Sequence, residues 1–110
     1  MSKPNRSRKP QPARSAPLQP VEVDVRLEFT DRAAAAVFVS GTFNDWRPTA
    51  TPMIPLADGR WIKELRLPPG RHEYCLVVDG HWMPDPRAAE SVPNPFGGFN
   101  SVLNVAPPAP

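Results

Sequence analysis

The chain has little of what enzymes, membrane proteins and disulfide-rich secreted proteins depend on. Its 110 residues include one cysteine, two histidines and one tyrosine. The lone cysteine, Cys75, excludes an internal disulfide and is typical of a reducing compartment, so we expect a cytoplasmic protein. No apolar run is long enough for a secretory signal or a membrane span, and we expect no membrane association.

The few residues with reactive side chains are not arranged for catalysis or metal binding. Two histidines and one cysteine do not give metal-ligand spacing, so we expect no metal and no other cofactor. Cys75 has no helix N-terminus or fixed cation beside it, which predicts an inert thiol. His72 alternates with apolar residues along one strand face, which favours a structural role. Gly97-Gly98 precedes a predicted strand, whereas a glycine-rich loop that binds phosphate precedes a helix.

Three aspartates near the tryptophans invite comparison with the paired carboxylates of glycosidases: Asp45, Asp79 and Asp85. A hairpin turn explains Asp79 better, and Asp85 precedes a proline. We therefore expect no catalytic residues and a chain that is not an enzyme.

Acidic residues are missing from residues 1–20, which carry five basic ones, whereas the rest of the chain has a net charge of −3. Five prolines and few apolar residues predict that residues 1–20 form a disordered, partly polyproline-like tail. Such a tail could carry a protein partner. It could also contact nucleic acid or anionic surfaces in a salt-sensitive way, but we expect no specific nucleic-acid partner.

Apolar and polar residues alternate over much of the remainder, which is typical of half-buried β-strands. The predicted strands are residues 21–29, 36–40, 61–67, 72–78 and 99–105. Short strands with turn residues every 8–12 positions and no convincing helix predict an all-β antiparallel sandwich. We assign it to residues 21–105, with residues 106–110 as a disordered end.

Asp-Gly pairs and prolines mark the predicted turns. Asp58-Gly59 and Asp79-Gly80 are each flanked by β-forming residues and predict tight hairpins, since both pairs tolerate positive φ. The segment 68–70 (PPG) predicts a turn between two strands. The nine prolines within the domain are all expected in loops.

Two of the three tryptophans lie beside turns, among polar neighbours. An exposed indole usually has something to stack on, and sugars, nucleobases and the side chains of a protein partner are the candidates. The C–H face of a sugar ring packs flat against an indole. Trp46, Trp82 and the amide of Asn100 therefore predict a sugar platform. The alternative is that the two indoles cap the open end of the sandwich. Trp61 begins an alternating strand and is expected in the core.

Four sequence blocks in a fixed order carry a resemblance to a known family. They are residues 37–46 (VFVSGTFNDW), 67–74 (LPPGRHEY), 77–82 (VVDGHW) and the pair Asp85-Pro86. The chain resembles the glycogen-binding domain of the β subunit of AMP-activated protein kinase. It is also similar to the N-terminal early-set domains of isoamylases and branching enzymes. The segment 93–103 (PNPFGGFNSVL) is similar to small, mostly bacterial members.

The resemblance implies an immunoglobulin-like early-set sandwich that binds α-1,4-glucan, such as glycogen or a maltooligosaccharide. By position, Trp46 and Trp82 would stack on the glucan. Phe96 would project toward the sugar, and Asn100 would hydrogen-bond to it. The chain would act as a carbohydrate-binding module without catalysing a reaction.

Two departures from the family pattern predict weaker binding. Cys75 stands where the family has a sugar-contacting lysine, and Gly98 stands where it has a threonine. A buried hydrogen bond to a charged group contributes roughly 1.5–3 kcal/mol, so we expect glucan binding to be about 10-fold or more weaker than in the kinase subunit's domain. The same departures support an alternative function, a regulatory or protein-interaction module with weak or no sugar binding.

Overall fold

A computed structural model describes residues 21–108 as two packed antiparallel β-sheets. The strands are β1 Val23–Thr30, β2 Val37–Gly41, β3 Ile54–Pro55, β4 Arg60–Leu67, β5 Gly70–Val78, β6 His81–Met83, β7 Glu90–Pro93 and β8 Phe99–Val105. The predicted all-β antiparallel sandwich is confirmed. The tail predicted for residues 1–20 and the last two positions of the predicted disordered end lie outside the described residues.

The described part of the chain is helical only in two short 3₁₀ turns, Thr42–Asn44 and Ala57–Gly59. Across residues 21–108 no helix has the length and apolar character needed to span a bilayer.

Strand β5 organises the larger of the two sheets. Sheet A has the order β1-β4-β3, and sheet B has the order β2-β5-β8-β7, with β6 also paired to β5. β2 lies along one edge of β5, from Val78 to Tyr74. On the other edge, β8 pairs with β5 as far as Tyr74, and β6 takes over from Leu76 to Val78. β5 therefore changes its partner at Cys75.

The core lies between the two sheets. Its buried members are Leu27, Phe29, Val37, Val39, Met53, Trp61, Leu65, Leu67, Tyr74, Leu76, Val78 and Val105. Trp61 is buried as predicted, and its indole N–H donates to the carbonyl of Asp31 at 3.2 Å. Fully burying an apolar side chain stabilises a fold by roughly 1.5–3 kcal/mol, so Trp61 belongs to the framework.

The alternation predicted for the first strand is confirmed, with its bounds shifted to Val23–Thr30. Leu27 and Phe29 are buried, whereas Val21 lies before the strand and is exposed. The outward-facing charges pair with those of β4, including Arg60 with Glu28 at 3.2 Å. This face of sheet A is therefore a paired charged surface.

One Asp-Gly pair forms the tight hairpin that was predicted, and the other forms a wider connection. Asp79 and Gly80 have φ values of 50° and 85°, and their neighbours Val78 and His81 pair directly. Asp58 and Gly59 also have positive φ, but they lie in a 3₁₀ turn of a longer loop.

Three short strands were not predicted, and two of them contain prolines that were expected in loops. Pro55 lies in β3 and Pro93 in β7. β3 and β7 form outer edges of their sheets, where a residue without an N–H costs no ladder hydrogen bond. The expectation that every proline of the domain lies in a loop was therefore wrong.

Candidate functional site

A cleft of about 790 Å³ lies over the face of sheet B that points away from the core. Side chains alternate across a strand, so Glu73 and Cys75 point to the opposite side from the core residues Tyr74 and Leu76. The cleft opens where β8 leaves β5 and β6 replaces it.

Strand β5 lines the cleft with Glu73 and Cys75, and three further elements carry the predicted site residues. The loop after β2 contributes Trp46, β6 contributes Trp82, and the β7–β8 hairpin contributes Phe96 and Asn100. The structure thus brings all four predicted residues to one surface. Trp61 lies in the core and takes no part in it.

The Trp46 loop is held in an unusual backbone conformation. Asp45 and Trp46 both have φ values of 58°, in the left-handed region that bulky residues rarely adopt. Asn44 fixes the loop, since its amide donates to the Val39 carbonyl and to Thr51 Oγ1, each at 2.9 Å. Its Oδ1 also accepts from the Gly41 N–H at 3.0 Å. The side chain of Asn44 therefore positions Trp46.

Trp82 lies in strand β6, directly opposite Val77 of β5. Its side chain is 50% exposed, although it is anchored in a sheet. A half-exposed indole on a strand leaves a large apolar face open to solvent. If Trp82 instead capped the open end of the sandwich, this face would be buried.

The turn between β7 and β8 presents Phe96 almost completely to solvent, at 93% exposure. Asn94 builds this turn, because its Oδ1 accepts from the N–H groups of Phe96 at 2.9 Å and Gly98 at 3.1 Å. Gly97 has a φ of 87°, which a residue with a side chain would adopt only under strain. Phe96 is therefore exposed on an ordered turn.

Asn100 is held by a network of side chains at the base of the cleft. Its Nδ2 donates to Glu73 Oε1 at 3.1 Å, and its Oδ1 accepts from Asn94 Nδ2 at 3.2 Å. The thiol of Cys75 lies 3.3 Å from the same Oδ1 and 3.4 Å from the Phe99 carbonyl. Most of the hydrogen-bonding capacity of Asn100 is thus used within the protein.

The surroundings of two groups in the cleft account for their charge states. Hydrogen bonds from Asn100 and Arg71 hold the pKa of Glu73 below its ordinary value, so its side chain is a carboxylate at neutral pH. Burial raises the pKa of the Cys75 thiol, which keeps it neutral. A buried, protonated thiol is a poor nucleophile, as the sequence predicted.

Three of the other residues considered for chemistry have structural roles. His72 Nε2 donates to the Pro68 carbonyl at 2.8 Å. Asp85 is buried and accepts from the hydroxyl of Tyr74 at 2.7 Å. Asp79 accepts from the N–H groups of Ala35 and Ala36. Among residues 21–108, no cluster of three or more His, Cys, Asp or Glu side chains could hold a metal ion.

Several cleft residues were not identified from the sequence, notably Glu73, Asn94 and Phe99. Glu73 could have been found, since it shares a strand face with Cys75 two positions away. Asn94 precedes Pro-Phe-Gly-Gly, a sequence in which an Asn side chain often caps a turn.

Comparison with known proteins places the chain in a family. Residues 23–110 match the model of the family described as "Glycogen recognition site of AMP-activated protein kinase". The chain belongs to this family. It is accordingly a non-catalytic carbohydrate-binding module.

Similar proteins include subunits of a mammalian kinase. The chain is 38% identical over 69 residues to the 5'-AMP-activated protein kinase subunit beta-2 of Mus musculus and of Homo sapiens, a match covering 63% of this chain and 24% of those proteins. It is 34% identical over 95 residues to the subunit beta-1 of Sus scrofa, with 72% and 73% covered.

The chain thus spans about a quarter of the length of the beta-2 subunits that it matches. These relatives are mammalian and give no support to the expectation that the chain is of the small bacterial type.

Proposed function

We propose that this chain binds α-1,4-glucan, such as glycogen or a maltooligosaccharide, in the cleft over sheet B. Trp46 and Trp82 stack on the glucose rings, Phe96 covers the sugar from the hairpin, and Asn100 donates a hydrogen bond to it. The observation that carries the proposal is that three separate elements bring these four side chains to one cleft.

The character of the cleft supports a sugar as its ligand. Its walls are mostly apolar and aromatic, with short polar groups at the base, as a glucan needs for its C–H faces and its hydroxyls. The half-exposed Trp82 and the exposed Phe96 and Phe99 would lose unfavourable contact with water when a sugar covers them.

Two positions limit the strength of binding. Cys75 is 4% exposed and its thiol contacts protein acceptors, so it does not supply the long cationic donor of the family pattern. Gly98 supplies no hydroxyl. The loss of one charge-assisted hydrogen bond corresponds to about 10-fold or more in affinity.

Co-sedimentation with glycogen tests the proposal. The wild-type chain should sediment with the polymer, and Trp82→Ala should remain in the supernatant. Ile54→Ala is the matched control, because Ile54 is similarly exposed, at 54%, but lies on the edge strand of sheet A. A wild-type chain that stays in solution, or a Trp82→Ala variant that sediments normally, would contradict the proposal.

The second candidate is a regulatory module that keeps the sandwich but binds sugar weakly or not at all, and Cys75 and Gly98 favour it. Residues 1–20 would then carry a protein partner. A pull-down with the full chain should recover one stoichiometric partner whose amount does not change with added maltoheptaose. Glucan binding with no partner recovered would rule this candidate out.

A further inference from the structure

Glu73 lies on the wall of the cleft, although nothing in the family pattern singled it out. Its side chain is 28% exposed, so it is neither a buried structural group nor a free surface charge. One carboxylate oxygen accepts from Asn100 at 3.1 Å and the other from Arg71 at 2.6 Å. Glu73 therefore links the base of the cleft to a cation outside it.

The carboxylate determines which way the Asn100 amide faces. An ionised carboxylate only accepts hydrogen bonds, so the NH₂ group of Asn100 must face Glu73. The Oδ1 atom then accepts from Asn94 Nδ2 and lies near the single proton of the Cys75 thiol, which is also within reach of the Phe99 carbonyl. One N–H of Nδ2 has no partner among the described residues. Asn100 can therefore offer a ligand a donor more readily than an acceptor.

Glu73 also sets the charge that a ligand meets. Among the described residues that line the cleft, it is the only one that carries a charge at neutral pH. Arg71 partly neutralises it, but Arg71 does not line the cleft. The ion pair therefore presents its negative end to the ligand and its positive end away from it.

We propose that Glu73 is a specificity-determining residue that makes the cleft select uncharged α-glucan over anionic, phosphate-bearing α-glucan. This inference rests on the proposed function and names the class of glucan that the site accepts. Glu73 does so in two ways: it holds Asn100 as a donor to sugar oxygens, and it repels a negative group brought close to it. Because the pair is partly exposed, its effect on selectivity is modest, roughly two- to fivefold at low salt.

Calorimetric titration at low salt with maltoheptaose and with maltoheptaose bearing one phosphate group tests this selectivity. The wild-type chain should prefer the neutral sugar. Glu73→Gln keeps the shape of the side chain but removes its charge, and leaves Arg71 unpaired. The preference should then vanish or reverse, with somewhat weaker maltoheptaose binding, because glutamine can hold Asn100 in either orientation.

Two further variants separate the charge effect from a general loss of structure. Arg71→Gln should increase the preference for the neutral sugar, since it leaves the negative charge of Glu73 uncompensated. Glu90→Gln is the matched control: Glu90 also accepts from an asparagine, Asn104, at 3.3 Å, but lies outside the cleft lining. It should leave the selectivity unchanged.

The outcomes distinguish this inference from the proposed function. The wild type, Glu73→Gln and Arg71→Gln could all bind maltoheptaose normally and with the same selectivity. That result would overturn the role of Glu73 but not the proposed function. A wild-type chain that binds neither sugar would overturn the proposed function and this inference together. Opposite shifts in the two variants would support the inference, because misfolding would not change selectivity in opposite directions.

Discussion

The sulfur of Cys75 lies 3.3 Å from Oδ1 of Asn100, at the residue where β5 changes its partner from β8 to β6. This contact joins the base of the cleft to the residue proposed to hydrogen-bond the sugar. It also lies at the position where the resemblance to the family implies a sugar-contacting lysine. The expected loss of glucan affinity is therefore assigned to one residue, Cys75, which can be substituted.

Cys75→Lys should strengthen glucan binding. A lysine at this position can extend its ammonium group into the cleft, on the same strand face as Glu73. We expect about 10-fold tighter binding of maltoheptaose, corresponding to one charge-assisted hydrogen bond. Cys75→Met has a similar length without the charge and is the control. Equal affinity of the two variants in calorimetry would contradict the prediction.

Gly98→Thr should also strengthen binding. A Cβ atom at Gly98 would meet only side-chain atoms of Asn94, at ordinary contact distances of 3.5 and 3.8 Å. The added hydroxyl can therefore face the sugar, and we expect roughly a two- to fivefold gain in maltoheptaose affinity. Gly97→Thr is the contrasting control, because the φ of 87° at Gly97 would strain the turn and misplace Phe96. A loss of affinity in Gly98→Thr would count against the assigned geometry.

Asn44→Ala should weaken both the fold and the binding of glucan. The substitution removes three hydrogen bonds that hold the strained loop of Trp46, two of them to backbone groups. We expect a loss of about 1–3 kcal/mol in the free energy of unfolding by urea. Maltoheptaose affinity should fall as well, since Trp46 would no longer be held at the cleft. Asn104→Ala, on the exposed part of β8, should change neither quantity.

The tyrosine of the core should make the chain unstable in alkali. Burial, together with the hydrogen bond to Asp85, raises the pKa of Tyr74 far above its ordinary value. The folded chain keeps this proton, whereas the unfolded chain releases it above about pH 10. The stability from this group is therefore complete below about pH 10 and falls as the pH rises further.

Urea unfolding from about pH 8 to pH 11 checks this pH dependence, with Tyr74→Phe as the comparison. The variant should be less stable at neutral pH and should lose stability less steeply in alkali. Tyr74 is the only tyrosine of the chain, so tyrosinate absorbance reports its ionisation directly. Ionisation of the folded chain near pH 10 would contradict the prediction.

Most of the fold could be predicted from the sequence because its strands alternate regularly and its turns have distinctive residues. Asp79-Gly80 forms the expected hairpin, and Trp61 lies in the core. The short strands β3, β6 and β7 could not be predicted in the same way. They have two to four residues each, and their pairing partners, rather than their own composition, determine their structure.

The candidate site could be predicted only in part. Tryptophans beside turns and among polar neighbours pointed to Trp46 and Trp82, and the resemblance to a family added Phe96. The network of Glu73, Asn94 and Asn100 could not be predicted, because it joins residues from two strands and a turn whose register the sequence does not specify.

The central claim is that a glucan stacks on Trp46 and Trp82. Nuclear magnetic resonance tests it most directly, because the chain has three tryptophans and hence three indole N–H resonances to follow. During titration with maltoheptaose, the resonances of Trp46 and Trp82 should shift together with one affinity, while that of the buried Trp61 stays in place. Three unmoved resonances at saturating sugar, or a shift confined to Trp61, would contradict the account.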